Sequence, residues 1–268
     1  MTAEPWELIV SINGSVDATA EVVERFRKRS AVPLRVLQHP RPGICAARNR
    51  GWREAGGDIV AFVDDDCYPA SDFLVQLRNC FDDGRLGFVG GPMLPYNGTD
   101  LSSTSIQTSQ ERLDLEPPYA FMGGNLIHGG NMAFRRDVLE AIGGFDECLG
   151  AGMPTRSGGD LDALSRASAA GYRGAYDPRP VVTHHHGRKT AAEGADVMTG
   201  YDLGRGAYYV KCLCDPLRRR LYAWPILRRA AAHLIRRRLA TFRNEIEGAR
   251  LYLRCQGRRA PPTSAAPD

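Results

Sequence analysis

Three short apolar runs, "ELIVSI" (7–12), "LRVLQH" (34–39) and "DIVAFVD" (58–64), alternate with stretches whose apolar residues recur at helical spacing. That alternation restricts the chain to parallel βαβ units with helices covering the sheet. "VDATAEVVERFRKRS" predicts a helix after the first run, and "CAARNRGWREA" predicts one before the third, closed by Gly56 and Gly57. The pattern continues with a helix over "SDFLVQLRNCF", one strand over "LGFVGGPMLPY" and an irregular stretch over 96–125. In sheets of this kind ligands bind beyond the carboxyl ends of the strands. The third run ends there in Asp64, Asp65 and Asp66.

Three adjacent carboxylates repel one another and lose hydration, so they call for a compensating partner. A divalent cation suits hard oxygen ligands, and Mg²⁺ or Mn²⁺ is the natural choice. On an extended segment Asp64 and Asp66 point the same way while Asp65 faces elsewhere. Mg²⁺ completes its shell with substrate phosphates, which implies a diphosphate ligand. The bland alternative is an acidic loop with helix-capping aspartates, but Asp72 already stands at the start of the next helix.

Charge is unevenly spread. Residues 205–259 carry about fifteen Lys and Arg against about three acids, so the earlier part is net acidic although the whole chain is formally +4. The odd count of 7 Cys includes no paired CxxC at zinc spacing, and reduced cytosolic thiols are expected. No basic region precedes the short apolar stretch at the start, so no signal peptide is expected. No run approaches the ~18 apolar residues that a membrane-spanning helix needs.

Five segments, in order, resemble the inverting glycosyltransferases of family 2, which have the GT-A fold. "VSINGSVDAT" stands where that family has an aspartate-rich turn, "GICAARNRGW" is similar to its ARN element, and "GGDIVAFVDDDCYP" is similar to its DxD strand. "GGNMAFRRDVLEAIGGFDE" resembles the acceptor-side segment, and "GGDLDALSRA" stands in place of "GEDxDLxxR". The resemblance runs from about Glu7 to about Arg188, with a weaker echo in "YDLGRGAYY". It implies a Rossmann-like, mostly parallel sheet flanked by helices, followed by a basic helical appendage.

The resemblance also implies roles. Asp66 is the principal metal ligand, and Asp64 touches both metal and nucleotide. Asn13, Asp64 and Asp65 make the nucleotide-sugar contacts, joined by Arg48, whose bidentate guanidinium suits a phosphate, with a surface ion pair as its bland reading. Asp160 is the general base that deprotonates an acceptor hydroxyl, with Asp162 as the alternative if the register slips and a plain helix cap as the bland reading. In "THHHGRKT" a third metal ligand is expected at His186, and Arg188 or Lys189 is placed to meet the diphosphate. The implied cofactor is Mg²⁺ or Mn²⁺. The donor is a nucleotide sugar, and the acceptor is a glycan or lipid-linked glycan of the cell envelope or of secondary metabolism.

Two departures stand out. Gly159 takes the place of the usual Glu, and the family's first strand with its Pro-x-Tyr-Asn loop is absent. Either the start is assigned late, with about thirty residues preceding it, or the chain is a non-catalytic descendant that binds a membrane surface or a partner. A nucleotidyltransferase is a third reading, but its Gly-rich, Arg/Lys-containing loop has no match here.

"PLRRRLYAWPILRRAAAHLIRRRLATF" (216–242) interleaves Arg clusters with apolar residues at near-helical spacing. That predicts either a helix lying on an anionic membrane, with Tyr222 and Trp224 at the interface, or a packed appendage with a solvated Arg face. No nucleic-acid-binding module accompanies the charge, so no nucleic acid partner is expected. The expected organisation is a catalytic domain over 1–192, a basic helical region over 193–257 and a disordered tail over 258–268. The expected location is cytoplasmic, peripheral on the inner face of the cell membrane.

Overall fold

The computed structural model describes residues 5–82, 84–97, 107–119 and 121–259. The tail expected to be disordered therefore lies outside the described residues from 260 onward, and the helix before it runs on to Arg259.

The first βαβ unit forms as its pattern predicts. β1 (Leu8–Asn13) and β2 (Leu34–His39) pair in parallel, from Leu8 opposite Leu34 to Asn13 opposite His39, with α1 (Thr19–Arg27) between them. α2 (Ile44–Glu54) follows and buries Cys45, Ala47, Asn49 and Trp52. β3 (Ile59–Phe62) then enters a different sheet, where its partner is β8 (Met132–Arg135). Among the described residues no strand joins β1 to β3.

The main sheet has five strands in the order β3-β8-β5-β9-β7, with β5 (Leu86–Gly90), β7 (Leu113–Leu115) and β9 (Arg173–Tyr176). β5 and β9 run parallel, while β8 runs antiparallel between β3 and β5, so the sheet is more mixed than strand–helix alternation suggests. A sheet covered on both faces needs apolar residues at every position. Along β5 all five residues are buried. Phe88 and Phe134 face one cluster with Phe62 and Phe145, packed by α4 (Arg136–Ala141) and α5 (Gly159–Ala169). Val89, Ala133 and Ala175 face the other, against Phe73, Leu77 and Phe81 of α3 (Phe73–Phe81).

A three-stranded ribbon carries β4 (Cys67–Pro69), β10 (Val182–His184) and β6 (Met93–Pro95) in the order β4-β10-β6. The single strand expected over 86–96 is thus two strands in two sheets. The break falls at Gly91-Pro92, because a Cβ on Gly91 would lie 2.2 Å from the Pro180 carbonyl oxygen and only glycine permits that approach.

α6 (Ala191–Cys214), α7 (Pro216–Ile235) and α8 (Leu239–Arg259) complete the chain. They pack against the rest of the chain, since Ala207 and Tyr252 belong to the same buried cluster as Phe88. The "YDLGRGAYY" echo has a packing cause: α6 and α8 touch backbone to backbone, Gly206 against Glu245 and Gly248 against Leu203. α7 turns Leu217, Trp224, Leu227, Leu234 and Ile235 to solvent. Tyr222, expected at a membrane interface, is instead 1% exposed and accepts from the Tyr208 hydroxyl at 2.7 Å. No helix among the described residues is long and apolar enough to cross a membrane.

The expectation that all thiols are reduced is overturned. Cys148 and Cys255 form a disulfide across 107 residues, with Cα atoms 5.9 Å apart. A pairing this distant leaves no local spacing signature, so only the docking of α8 reveals it.

Candidate active site

Asp64, Asp65 and Asp66 occupy a turn between β3 and β4, closed by the Cys67 amide donating to the Asp64 carbonyl at 3.0 Å. The segment is not extended, so strict alternation does not govern it. Each carboxylate finds its own surroundings instead. Asp64 accepts from Arg48 Nη2 at 2.8 Å, and that guanidinium is nearly buried, with a side chain 11% exposed. Asp65 is exposed. Asp66 lies 3.2 Å from His184 Nε2 on β10.

Burial is the largest single influence on Asp66 and opposes its charge, but the hydrogen bond and electrostatic attraction of His184, with the Cys67 contact, together hold the carboxyl below the usual carboxylate range. Cys67 stands beside them. Burial, then the charges of Asp64 and Asp66, push its thiol up to about 12, so it stays neutral. Asp66, Cys67 and His184 present three candidate ligand atoms within 4.8 Å of one another, which fits a divalent ion bound chiefly by carboxylate and imidazole.

Asp160 arrives from the opposite side. The cap of α5 is Gly158, in the left-handed region at φ 94°, so Asp160 sits in the helix's first turn and is not its cap. Its Oδ1 accepts from the Leu161 amide at 2.9 Å and its Oδ2 from the Gly129 amide at 3.1 Å. The carbonyl of the same Gly129 accepts from Arg48 Nη2 at 3.0 Å. A Cβ on residue 129 would stand 2.9 Å from the Arg48 guanidinium and 3.3 Å from Asp160, so any larger residue would have to displace these side chains. His128, next to it, is pushed down by burial and has a buried Nε2 without a hydrogen-bond partner among the described residues.

The acidic turn after β3 and the first turn of α5 are thus joined through Arg48 and the Gly129 peptide. The sequence profile described as glycosyl transferase family 2 matches residues 1–143, more than half of the 268. The chain belongs to glycosyl transferase family 2. Its fold is GT-A: it superposes on a Pyrobaculum calidifontis mannosyltransferase, solved with GDP-Man and Mn²⁺, with TM-score 0.61 and 20% identity, covering 92% of this chain and 77% of that one. Staphylococcus aureus TarS 1–349 with UDP-GlcNAc gives TM-score 0.51 at 20% identity, over 77% of this chain and 57% of that one. In sequence the chain is 29% identical over 171 residues to the glycosyltransferase AglE of Haloferax volcanii, covering 62% of this chain and 52% of AglE. It is 28% identical over 158 residues to the pre-mycofactocin glycosyltransferase of Mycobacterium tuberculosis, covering 57% of this chain and 32% of the relative. The chain thus spans about half or less of the length of these two curated relatives.

Asn13 ends β1, and its Oδ1 accepts from the Gly43 amide at 2.9 Å, pinning the loop before α2. Asn49 is structural: it donates to the Phe145 carbonyl at 2.8 Å and accepts from the Phe145 amide at 2.7 Å, clamping α2 to the "GGFDE" segment. His186 accepts from the Arg188 amide at 3.1 Å, and its ring lies 5.4 Å from that of His184. The imidazole that reaches Asp66 is therefore the buried His184. The signal was its register opposite Cys67, which only the ribbon's pairing defines. Lys189 and Thr190 give their amides to Glu193 in a capping box that starts α6.

Asp162, the alternative base, is fully buried and surrounded by cations. Burial opposes its charge, but Arg166, Lys211 and Arg218 together hold its carboxyl far below the usual range. Gly159 also has a local reason. A Cβ there would sit 2.3 Å from Cys45 Sγ, so the thiol fills the room that a Glu side chain would need.

Proposed function

We propose that the protein moves a sugar from a nucleotide-sugar donor to an acceptor hydroxyl with inversion. The observation that carries this reading is the Gly129 peptide, whose carbonyl accepts from Arg48, the partner of Asp64, while its amide donates to Asp160. One peptide unit thus links a donor-side ion pair to a carboxylate on a helix start. Each Asp160 oxygen keeps lone-pair capacity beyond its single hydrogen bond and can take the proton of an acceptor hydroxyl attacking from the face opposite the leaving group.

Asp66 and His184 are the residues that would hold a divalent ion, with Asp64 and the third imidazole, His186, adjoining them. An imidazole donor suits Mn²⁺ better than Mg²⁺, which prefers oxygen alone. The ion supplies positive charge against the departing nucleoside diphosphate. Arg48, Asp64, Asp65 and Asn13 are assigned to the donor, and Arg188 and Lys189, just before α6, are the cations that would meet its diphosphate. The neighbours solved with GDP-Man and Mn²⁺ and with UDP-GlcNAc support a nucleotide-sugar donor and a Mn²⁺ site for this chain.

The acceptor is a glycan, lipid-linked in the reading that α7 favours. Leu217, Trp224, Leu227, Leu234 and Ile235 are exposed on that helix beside Arg219, Arg220, Arg228 and Arg236. This is the composition of a helix that lies in an anionic interface. The enzyme then works peripherally on the cytoplasmic face of the membrane. Release of nucleoside diphosphate from UDP-, GDP- and dTDP-sugars in Mn²⁺ tests the activity. Asp160→Asn should slow it by about 10²-fold or more, and unchanged release would remove Asp160 from the base role.

A further inference from the structure

Two helices of the C-terminal region, α6 and α7, converge with α5 itself on one buried carboxylate two residues beyond Asp160. Asp162 Oδ2 accepts from Arg166 Nε at 2.9 Å and from Lys211 Nζ at 2.8 Å, and its Oδ1 accepts from Arg218 Nη1 at 3.0 Å. Arg166 belongs to α5 itself, but Lys211 comes from α6 and Arg218 from the first turn of α7. The set extends outward. Lys211 also donates to Asp146 at 2.6 Å, and Tyr252 of α8 donates to that carboxylate at 2.9 Å. Arg218, 1% exposed, donates further to Asp215 at 2.7 Å and to Ser165 Oγ at 2.9 Å. Asp146, Asp162 and Asp215 thereby face Arg166, Lys211 and Arg218, three charges against three.

Buried ion pairs seldom stabilise more than apolar packing of the same volume. What they add is direction. Successive helical residues are rotated by about 100°, so positions 160 and 162 point to nearly opposite sides of α5. Fixed bonds to Asp162 at the back therefore set the rotation of the turn that carries Asp160 at the front. The Cys148–Cys255 disulfide anchors the preceding loop to α8 in the same region.

We propose that Lys211 and Arg218 are positioning residues for Asp160: by gripping Asp162 from α6 and α7 they hold the first turn of α5 so that Asp160 meets the Gly129 amide and the acceptor. This rests on the reading of Asp160 as the base, but its test does not need turnover. Lys211→Met removes the grip, and Lys211→Met with Asp146→Asn restores the charge balance without restoring it. Lys211→Arg keeps a cation in place.

Hydrogen-exchange mass spectrometry on the full chain reads the outcome. In the double variant, exchange over 157–164 and over 126–132 should rise about tenfold while α3 and β5 stay as protected as in the parent, and Lys211→Arg should lie close to the parent. Unchanged exchange over 157–164 in the folded double variant overturns the proposal. So does a rise spread equally over α3 and β5, which marks general loosening. If a donor is turned over, kcat should fall in the double variant with the KM for donor nearly constant, because the donor-side residues lie on other elements. Asp160→Asn retaining full turnover would sink the base assignment alone and leave the exchange result to judge the grip.

Discussion

The Asp66 carboxylate and the His184 imidazole meet at 3.2 Å although 118 residues separate them in the chain. The contact depends on β10 pairing antiparallel with β4, which sets His184 opposite Cys67. His184→Ala should therefore weaken Mn²⁺ binding about 10- to 100-fold. His185→Ala, whose ring is stacked on Tyr96 instead, should leave it unchanged. Calorimetric titration with Mn²⁺ separates the two, and equal losses would contradict the assignment.

Acid should unfold the protein through the cluster around Asp162. Burial opposes the charge of both Asp162 and Asp146, but their cation partners win and both folded carboxyls sit below the unfolded value of about 3.9. A depressed carboxyl contributes stability that is complete above the unfolded value and is lost as pH falls through the folded one. The urea midpoint should hold steady from pH 7 to 5 and drop below about pH 4. Asp162→Asn should cost about 3–5 kcal/mol at pH 7, because cations remain buried without a partner. Its acid limb should be shallower than the parent's, and an equally steep limb would refute the linkage.

Gly159 and Cys45 should be coupled. Gly159→Ala places a methyl 2.3 Å from Cys45 Sγ, and overpacking of this kind costs about 1–3 kcal/mol. Adding Cys45→Ala should recover most of that loss. Thermal melts of the two single variants and the double variant form the cycle, and additive losses would show that the thiol is not what excludes a side chain.

The exposed face of α7 should bind anionic vesicles. Trp224 is 69% and Ile235 82% exposed. Their joint replacement by Glu should abolish co-sedimentation with vesicles containing phosphatidylglycerol while leaving the melt unchanged. Binding that persists, or that is equal on purely zwitterionic vesicles, would speak for a protein partner at this face.

Where a segment's structure follows from its own period, the sequence was enough: "LRVLQH" is a strand from its first residue to its last, and the acidic turn after β3 lies at the carboxyl end of a strand as expected. What depends on distant pairing was hidden. His184 and His186 look equivalent on a strand until the register with β4 buries one of them. Tyr222 and Trp224 both look interfacial until α7 docks and turns Tyr222 toward Tyr208. Gly129 carries no chemical signal at all, since its part is played by a backbone amide and carbonyl. The Cys148–Cys255 bond was missed for the same reason, as nothing near either residue marks the other.

The central claim is a metal-assisted nucleotide-sugar site at Asp66, and nucleotide binding tests it most directly. UDP, GDP and dTDP should be titrated into the protein with and without Mn²⁺, and again into Asp66→Ala. The account predicts that one nucleoside diphosphate binds in the presence of Mn²⁺, and that this binding disappears both without the ion and in the variant. Binding that is indifferent to Mn²⁺ and to Asp66, or no binding of any of the three to the folded protein, would contradict it.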